Sequence, residues 1–95
     1  SALDAFTRYK LQDQLVQLQK RSTATIILVT HDIDEAIYLS DHIILLGDGC
    51  NIISQYSIEQ SHPRNRNDSY LLTLRNNIME KFALNHHQAE PEYYI

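Results

Sequence analysis

The apolar run ATIILV at residues 24–29 stops at Thr30-His31-Asp32, and the chain then changes to a helix-like pattern with an acidic start. His31 is the residue with chemistry to offer. Its imidazole can donate to a phosphate oxygen and changes charge near neutral pH under modest perturbation. If the apolar run is a buried parallel strand, His31 sits at its carboxyl end, the edge along which open α/β sheets bind ligands. The alternative is a histidine that caps the next helix or packs at a sheet rim. Asp32 can cap that helix through its carboxylate, and Glu35 three positions on completes a capping-box-like pattern. His86 and His87 stand near Glu90 and Glu92, but adjacent histidines lack the i, i+4 spacing that puts two ligands on one helix face. No metal site is assigned. Cys50 reads as a small turn residue, because nothing nearby supplies the cationic setting that activates a thiolate. Arg64 and Arg66 could touch a partner or an anion, but read first as charges of a solvated loop.

The elements that must position these residues follow from period and punctuation. From Asp4 to about Arg21, Leu11, Leu15 and Leu18 recur at helical spacing, with Lys20 and Arg21 in the last turn where cations favour the helix dipole. One amphipathic helix is expected. Residues 24–29 are short, unbroken and rich in β-branched side chains, as suits a strand covered on both faces. The helix capped by Asp32 ends near Ser40. Residues 43–46 and 52–56 flank GDGCN, which holds both glycines of the chain, and so are expected to pair as a hairpin. Residues 60–68, QSHPRNRND, read as a polar connection. Asp68 or Ser69 then caps a last helix through Leu71, Leu74, Ile78 and Phe82. The order is helix-strand-helix-hairpin-helix, a mixed α/β arrangement. Residues 83–95 show no clear period and are expected to form a flexible tail.

Composition bounds the function. The chain has 95 residues, room for one domain or part of one. Hydrophobic residues at 43% and charged residues at 21% suit a soluble globular chain. No apolar run reaches the ~18 residues of a spanning helix. A formal net charge of -4 lacks the clustered basic footprint of a nucleic-acid binder. Lone Cys50 has no internal disulfide partner, in keeping with a reducing compartment. The chain opens on Ser1-Ala2-Leu3-Asp4 with no initiator methionine and no basic leader, and is expected to be cut from a longer protein.

Two stretches carry a family resemblance. SALDAFTR, followed further on by TIILVTHDIDEAIYLSD, closely resembles the end of the nucleotide-binding subunit of an ATP-binding cassette transporter. Ser1-Ala2-Leu3-Asp4 matches that family's D-loop and Thr30-His31-Asp32 its switch-histidine loop. Glu35, Ala36, Leu39 and Asp41 also fall on the family pattern. PRNR at residues 63–66, before a final Leu-rich helix, resembles importers for nitrate, alkanesulfonates, taurine and related small anions. His42 and GDGCN depart from the arginine and the Ser-Pro-x-Pro-Gly-Arg-like turn common there, which leaves the solute open.

The resemblance implies an incomplete part of a P-loop NTPase fold. Residues 1–59 would be the C-terminal part of the ATPase core, 60–82 a linker and C-terminal helix, and 83–95 the tail. It implies ATP and Mg²⁺ in the full-length parent, with His31 contacting the γ-phosphate. Ser1, Ala2, Leu3 and Asp4 would lie at the interface with a second ATPase subunit, a role compatible with Asp4 as a plain N-cap. Thr30, Asp32 and Glu35 would shape the loop. Partners would be transmembrane permease subunits and, indirectly, a solute-binding protein, at the cytoplasmic face of the bacterial inner membrane. The P-loop, the signature motif and the Walker B carboxylates do not occur in these 95 residues. The chain alone is therefore expected neither to bind ATP tightly nor to hydrolyse it, and its unpaired apolar run is expected to drive self-association. Two other readings stay open: a non-enzymatic interaction or regulatory module, and a weak metal-binding module in the His-rich tail.

Overall fold

The computed structural model describes residues 2–89, with side chains over 4–85. Helix α1 spans Ala2–Arg21, with Asp4 in its first turn and Lys20 and Arg21 in its last. Helix α2 spans Ile33–Leu39, strand β1 His42–Leu46, strand β2 Ile52–Ser57 and helix α3 Ser69–Ala89.

The strand expected at residues 24–29 does not form. Residues 22–30 carry no regular structure. Ile27 is 87% exposed and Val29 93%. A strand exists through its neighbour's hydrogen bonds, and a parallel pair needs a second strand brought alongside by a crossover. Among the described residues no strand lies beside this segment. The one sheet among them is the antiparallel pair β1-β2. The observed order is helix, irregular segment, helix, hairpin, helix.

Helix α1 also packs differently from its apolar stripe. Leu11, Leu15 and Leu18 are exposed, and the buried positions are Gln12 at 4% and Val16 at 2%. The reason is the surface it meets. Arg8 donates to Asp32 at 3.4 Å, Gln12 to Glu35 at 3.2 Å and Gln19 to Asp41 at 3.4 Å, while the Tyr38 hydroxyl donates to Asp13 at 2.6 Å. These pairs ascend together along both segments, so α1 and α2 lie side by side in the same direction, joined by polar groups.

The hairpin forms where two apolar runs flank the glycines. Its register pairs His42 with Ser57, Ile43 with Tyr56 and Leu46 with Ile52, with an irregularity between Leu45 and Leu46. The tip is a single 3₁₀ turn, Asp48–Cys50. Gly49 has φ 69° and Cys50 φ 62°, the left-handed region that glycine enters freely and other residues seldom do. Gly47 N donates to Asn51 O at 2.7 Å, closing the turn.

The core is small and lies between α2, the hairpin and α3. Ile37, Ile43, Ile58, Leu71, Leu74 and Ile78 form its cluster. Leu71, Leu74 and Ile78 follow the i, i+3, i+7 spacing of one helix face, as the sequence indicates. Of the two capping candidates Asp68 acts, accepting from Leu71 N at 3.2 Å. Helix α3 runs on past Phe82 to Ala89, so residues 83–89 are helical where the sequence suggested an end. Residues 90–95, with Glu90 and Glu92, lie outside the described residues.

Candidate functional site

The turn before α2 is built by short-range hydrogen bonds. Asp32 N donates to the Thr30 hydroxyl at 3.0 Å. The Asp32 carboxylate divides its work: Oδ1 accepts from Glu35 N at 3.2 Å and Oδ2 lies 3.4 Å from Arg8 Nη1. Only half of the capping box forms, because the Glu35 side chain is engaged by Gln12. Between these anchored residues His31 is exposed, and its ring makes no hydrogen bond or ion pair among the described residues.

His31 borders an open cleft of about 520 Å³. Arg8 of α1 and Arg75 and Met79 of α3 form the facing walls. The two arginines are already matched by carboxylates, Arg8 by Asp32 at 3.4 Å and Arg75 by Asp34 at 2.7 Å. An anion entering here would compete with aspartates for both cations. The unengaged imidazole is the group that could meet it as a donor.

The other sequence-derived site residues are not gathered at this cleft. Asp4 is exposed in the first turn of α1 and does not line it. Ala2 and Leu3 open the same helix, and Ser1 lies outside the described residues. Arg8, one turn beyond Asp4, does reach the cleft. The rest of the α1 contact with α2 runs through residues that sequence reading left unremarked, Gln12 and Asp13 among them.

Arg64 and Arg66 correct the solvated-loop reading. The Arg64 side chain is 0% exposed. It donates to the carbonyls of Ile37 at 3.0 Å, Ser40 at 2.5 Å and Gln60 at 2.9 Å, and to Asp41 at 3.4 Å. Three orphan carbonyls, two of them at the end of α2, are what a five-donor fork can satisfy at once. Burial pulls the guanidinium below its ordinary value and Asp41 opposes that pull.

Arg66 sits between two rings, 4.2 Å from the Tyr9 centroid and 3.8 Å from that of Tyr38. It also donates to Gln12 Oε1 at 3.1 Å and lies 3.6 Å from Asp13. Burial and then the hydrogen bond to Asp13 raise the Tyr38 phenol above its ordinary 10.0, with Arg66 working the other way. The PRNR motif was visible in the sequence. Its partners, in α1 and α2, were not.

Among the described residues no group of three His, Cys, Asp or Glu side chains could hold a metal ion. His86 and His87 fall on the backbone of α3, with side chains outside those described. No helix there is long and apolar enough to cross a membrane.

No family profile and no solved structure matches the chain. Curated relatives do. The chain is 49% identical over 76 residues to "Aliphatic sulfonates import ATP-binding protein SsuB 1" of Pseudomonas savastanoi pv. phaseolicola, covering 79% of this chain and 32% of the relative. It is 43% identical over 91 residues to "Aliphatic sulfonates import ATP-binding protein SsuB 2" of Pseudomonas syringae pv. tomato, covering 95% of this chain and 38% of the relative. A Paracoccus denitrificans "Aliphatic sulfonates import ATP-binding protein SsuB 1" is 41% identical over 83 residues, covering 87% and 34%. The chain thus spans about a third of the length of the relatives it matches. By these matches, and by the two motifs in its sequence, the chain is similar over most of its length to a portion of the ATP-binding subunit of an ATP-binding cassette importer.

Proposed function

We propose that the chain is the C-terminal portion of the ATP-hydrolysing subunit of an importer for a small anion such as nitrate or an alkanesulfonate. The relatives' printed names support the ATP-binding role, and their solutes support the anion class. The observation that carries the reading is His31. It is exposed and unengaged on the rim of a cleft, within a match that covers 95% of the chain.

In this reading His31 donates to the γ-phosphate. Phosphoryl transfer rests on positioning and charge stabilisation, so a donor held beside the terminal phosphate lowers the barrier to in-line attack by water. Thr30, Asp32 and Glu35 hold the loop that carries it. Asp4, with Ser1, Ala2 and Leu3, faces a second ATPase subunit in a dimer.

The residues present fit only one end of a triphosphate. Both glycines lie in the hairpin turn, so no glycine-rich cradle is in the chain. The Mg²⁺ ligands and the base for the attacking water likewise belong to parts of the parent beyond these residues. Permease subunits, and through them a solute-binding protein, would hold that parent at the cytoplasmic face of the inner membrane. Residues 1–59 would belong to the ATPase core and 60–82 to a linker and helix, with the tail beyond. Alone, the chain is inactive, and its exposed run at residues 24–29 drives self-association.

Calorimetric titration with Mg-ATP tests the reading on this chain and on the full-length product of its gene. The full-length protein should bind and hydrolyse ATP, this chain should do neither, and His31→Ala in the former should stop hydrolysis while sparing binding. Hydrolysis unchanged by His31→Ala sinks the assignment.

A further inference from the structure

We propose that Arg66 is a positioning residue for ATP hydrolysis: by filling the gap between Tyr9 of α1 and Tyr38 of α2, it fixes the helix that begins at the D-loop against the helix that follows His31. The inference rests on the reading given under Proposed function.

The arrangement is built in two steps from one short linker. Arg64 fastens the linker to α2 through the carbonyls of Ile37 and Ser40. That sets Arg66, two residues on, beside α1, with its guanidinium 4.2 Å from the Tyr9 ring and 3.8 Å from the Tyr38 ring. A planar cation can lie against one aromatic face on each side, and a lysine cannot reproduce that geometry. The same group donates to Gln12, whose amide nitrogen donates in turn to Glu35 of α2. Asp13 receives the Tyr38 hydroxyl and lies 3.6 Å from Arg66. Arg66 therefore meets both side chains through which the middle of α1 touches α2.

Little else could do this work. Of the apolar residues of α1, Val16 alone is buried among the described side chains. The flanking pairs Arg8 with Asp32 and Gln19 with Asp41 are exposed, and exposed polar pairs hold geometry weakly. Asp4 lies one turn before Arg8 and His31 one residue before Asp32, so a slip of α1 along α2 moves the two motifs relative to each other. Displacements of about 1 Å at a reacting group can cost about 100-fold in rate.

The test uses the full-length product of the gene that encodes this segment, with steady-state hydrolysis and Mg-ATP binding measured for each variant. Arg66→Ala is expected to lower kcat by roughly 10- to 100-fold while KM for Mg-ATP moves by less than about threefold. Arg66→Lys, which keeps the charge and loses the stack, should recover only part of the loss. Two results overturn the proposal: kcat within about twofold of the parent's, or kcat and nucleotide binding lost together, which marks a merely structural residue. Should Arg66→Ala fail to fold, Tyr9→Ala removes one exposed face of the sandwich. A fall in kcat of about threefold or more with binding kept then supports the proposal, and a smaller change overturns it. His31→Ala run alongside separates the two ideas. If it leaves hydrolysis intact, the assignment under Proposed function fails; if it stops hydrolysis while Arg66→Ala does not slow it, only the positioning role fails.

Discussion

Arg64 holds Nη2 3.4 Å from Oδ1 of Asp41 while its Nη1 serves the carbonyls of Ile37 and Ser40 at the end of α2 and its Nε that of Gln60. This one side chain ties the linker, the end of α2 and the start of the hairpin together, since Asp41 O also accepts from Ile58 N at 2.8 Å. Arg64→Met keeps most of the volume but leaves buried carbonyls without a donor. It should destabilise the chain by about 3 kcal/mol, and Arg64→Lys should restore only part of that. Urea unfolding followed by circular dichroism reads the difference, and an unchanged midpoint for Arg64→Met would show that water replaces the guanidinium.

Asp68 makes stability depend on acid. The Gln60 amide at 3.1 Å, and then Leu71 N, hold its carboxyl below the ordinary 3.8. A depressed folded value means that the stabilisation is fully present above 3.8 and is lost as pH falls from there through the lower folded value. Asp68→Asn keeps a capping side chain and removes the titration. The gap between parent and variant in urea midpoint should therefore be constant near neutrality and narrow below that point. A gap independent of pH down to strong acid contradicts the assignment.

The unpaired run at residues 24–29 should make the chain associate. Ile27 and Val29 are almost wholly exposed, and an exposed apolar segment outside any sheet can serve as a template for another strand. Sedimentation from micromolar to millimolar concentration should show a mass above that of the monomer. A double substitution, Ile27→Lys with Val29→Lys, should return it to the monomer. A monomer throughout for the unsubstituted chain ends this idea.

Much of the local structure is legible because its causes are local. Asp32 and Asp68 cap helices within three residues of themselves, Leu71, Leu74 and Ile78 repeat on one helix face, and the glycines sit where the hairpin turns. The strand expected at residues 24–29 is absent because β-branched composition reports a preference for pairing and cannot supply the neighbour. Leu11, Leu15 and Leu18 misled for a related reason: their periodicity is real, but no described element lies on that side. Arg66 meets Gln12 across 54 positions of sequence, beyond the reach of any period or cap. His31 was legible as a site candidate because an apolar run broke off at it; the cleft walls, Arg8 and Arg75, come from helices far away in the chain.

The tip of the hairpin has a practical side. Cys50 is the chain's one cysteine and is exposed, on a turn that takes no part in the cleft lining. A maleimide dye would attach there once per chain and leave His31, Arg8 and Arg75 at the cleft untouched. This chain thus carries its own single-site handle for counting copies in an assembly and for reporting, through the dye's emission, on the surroundings of the hairpin tip.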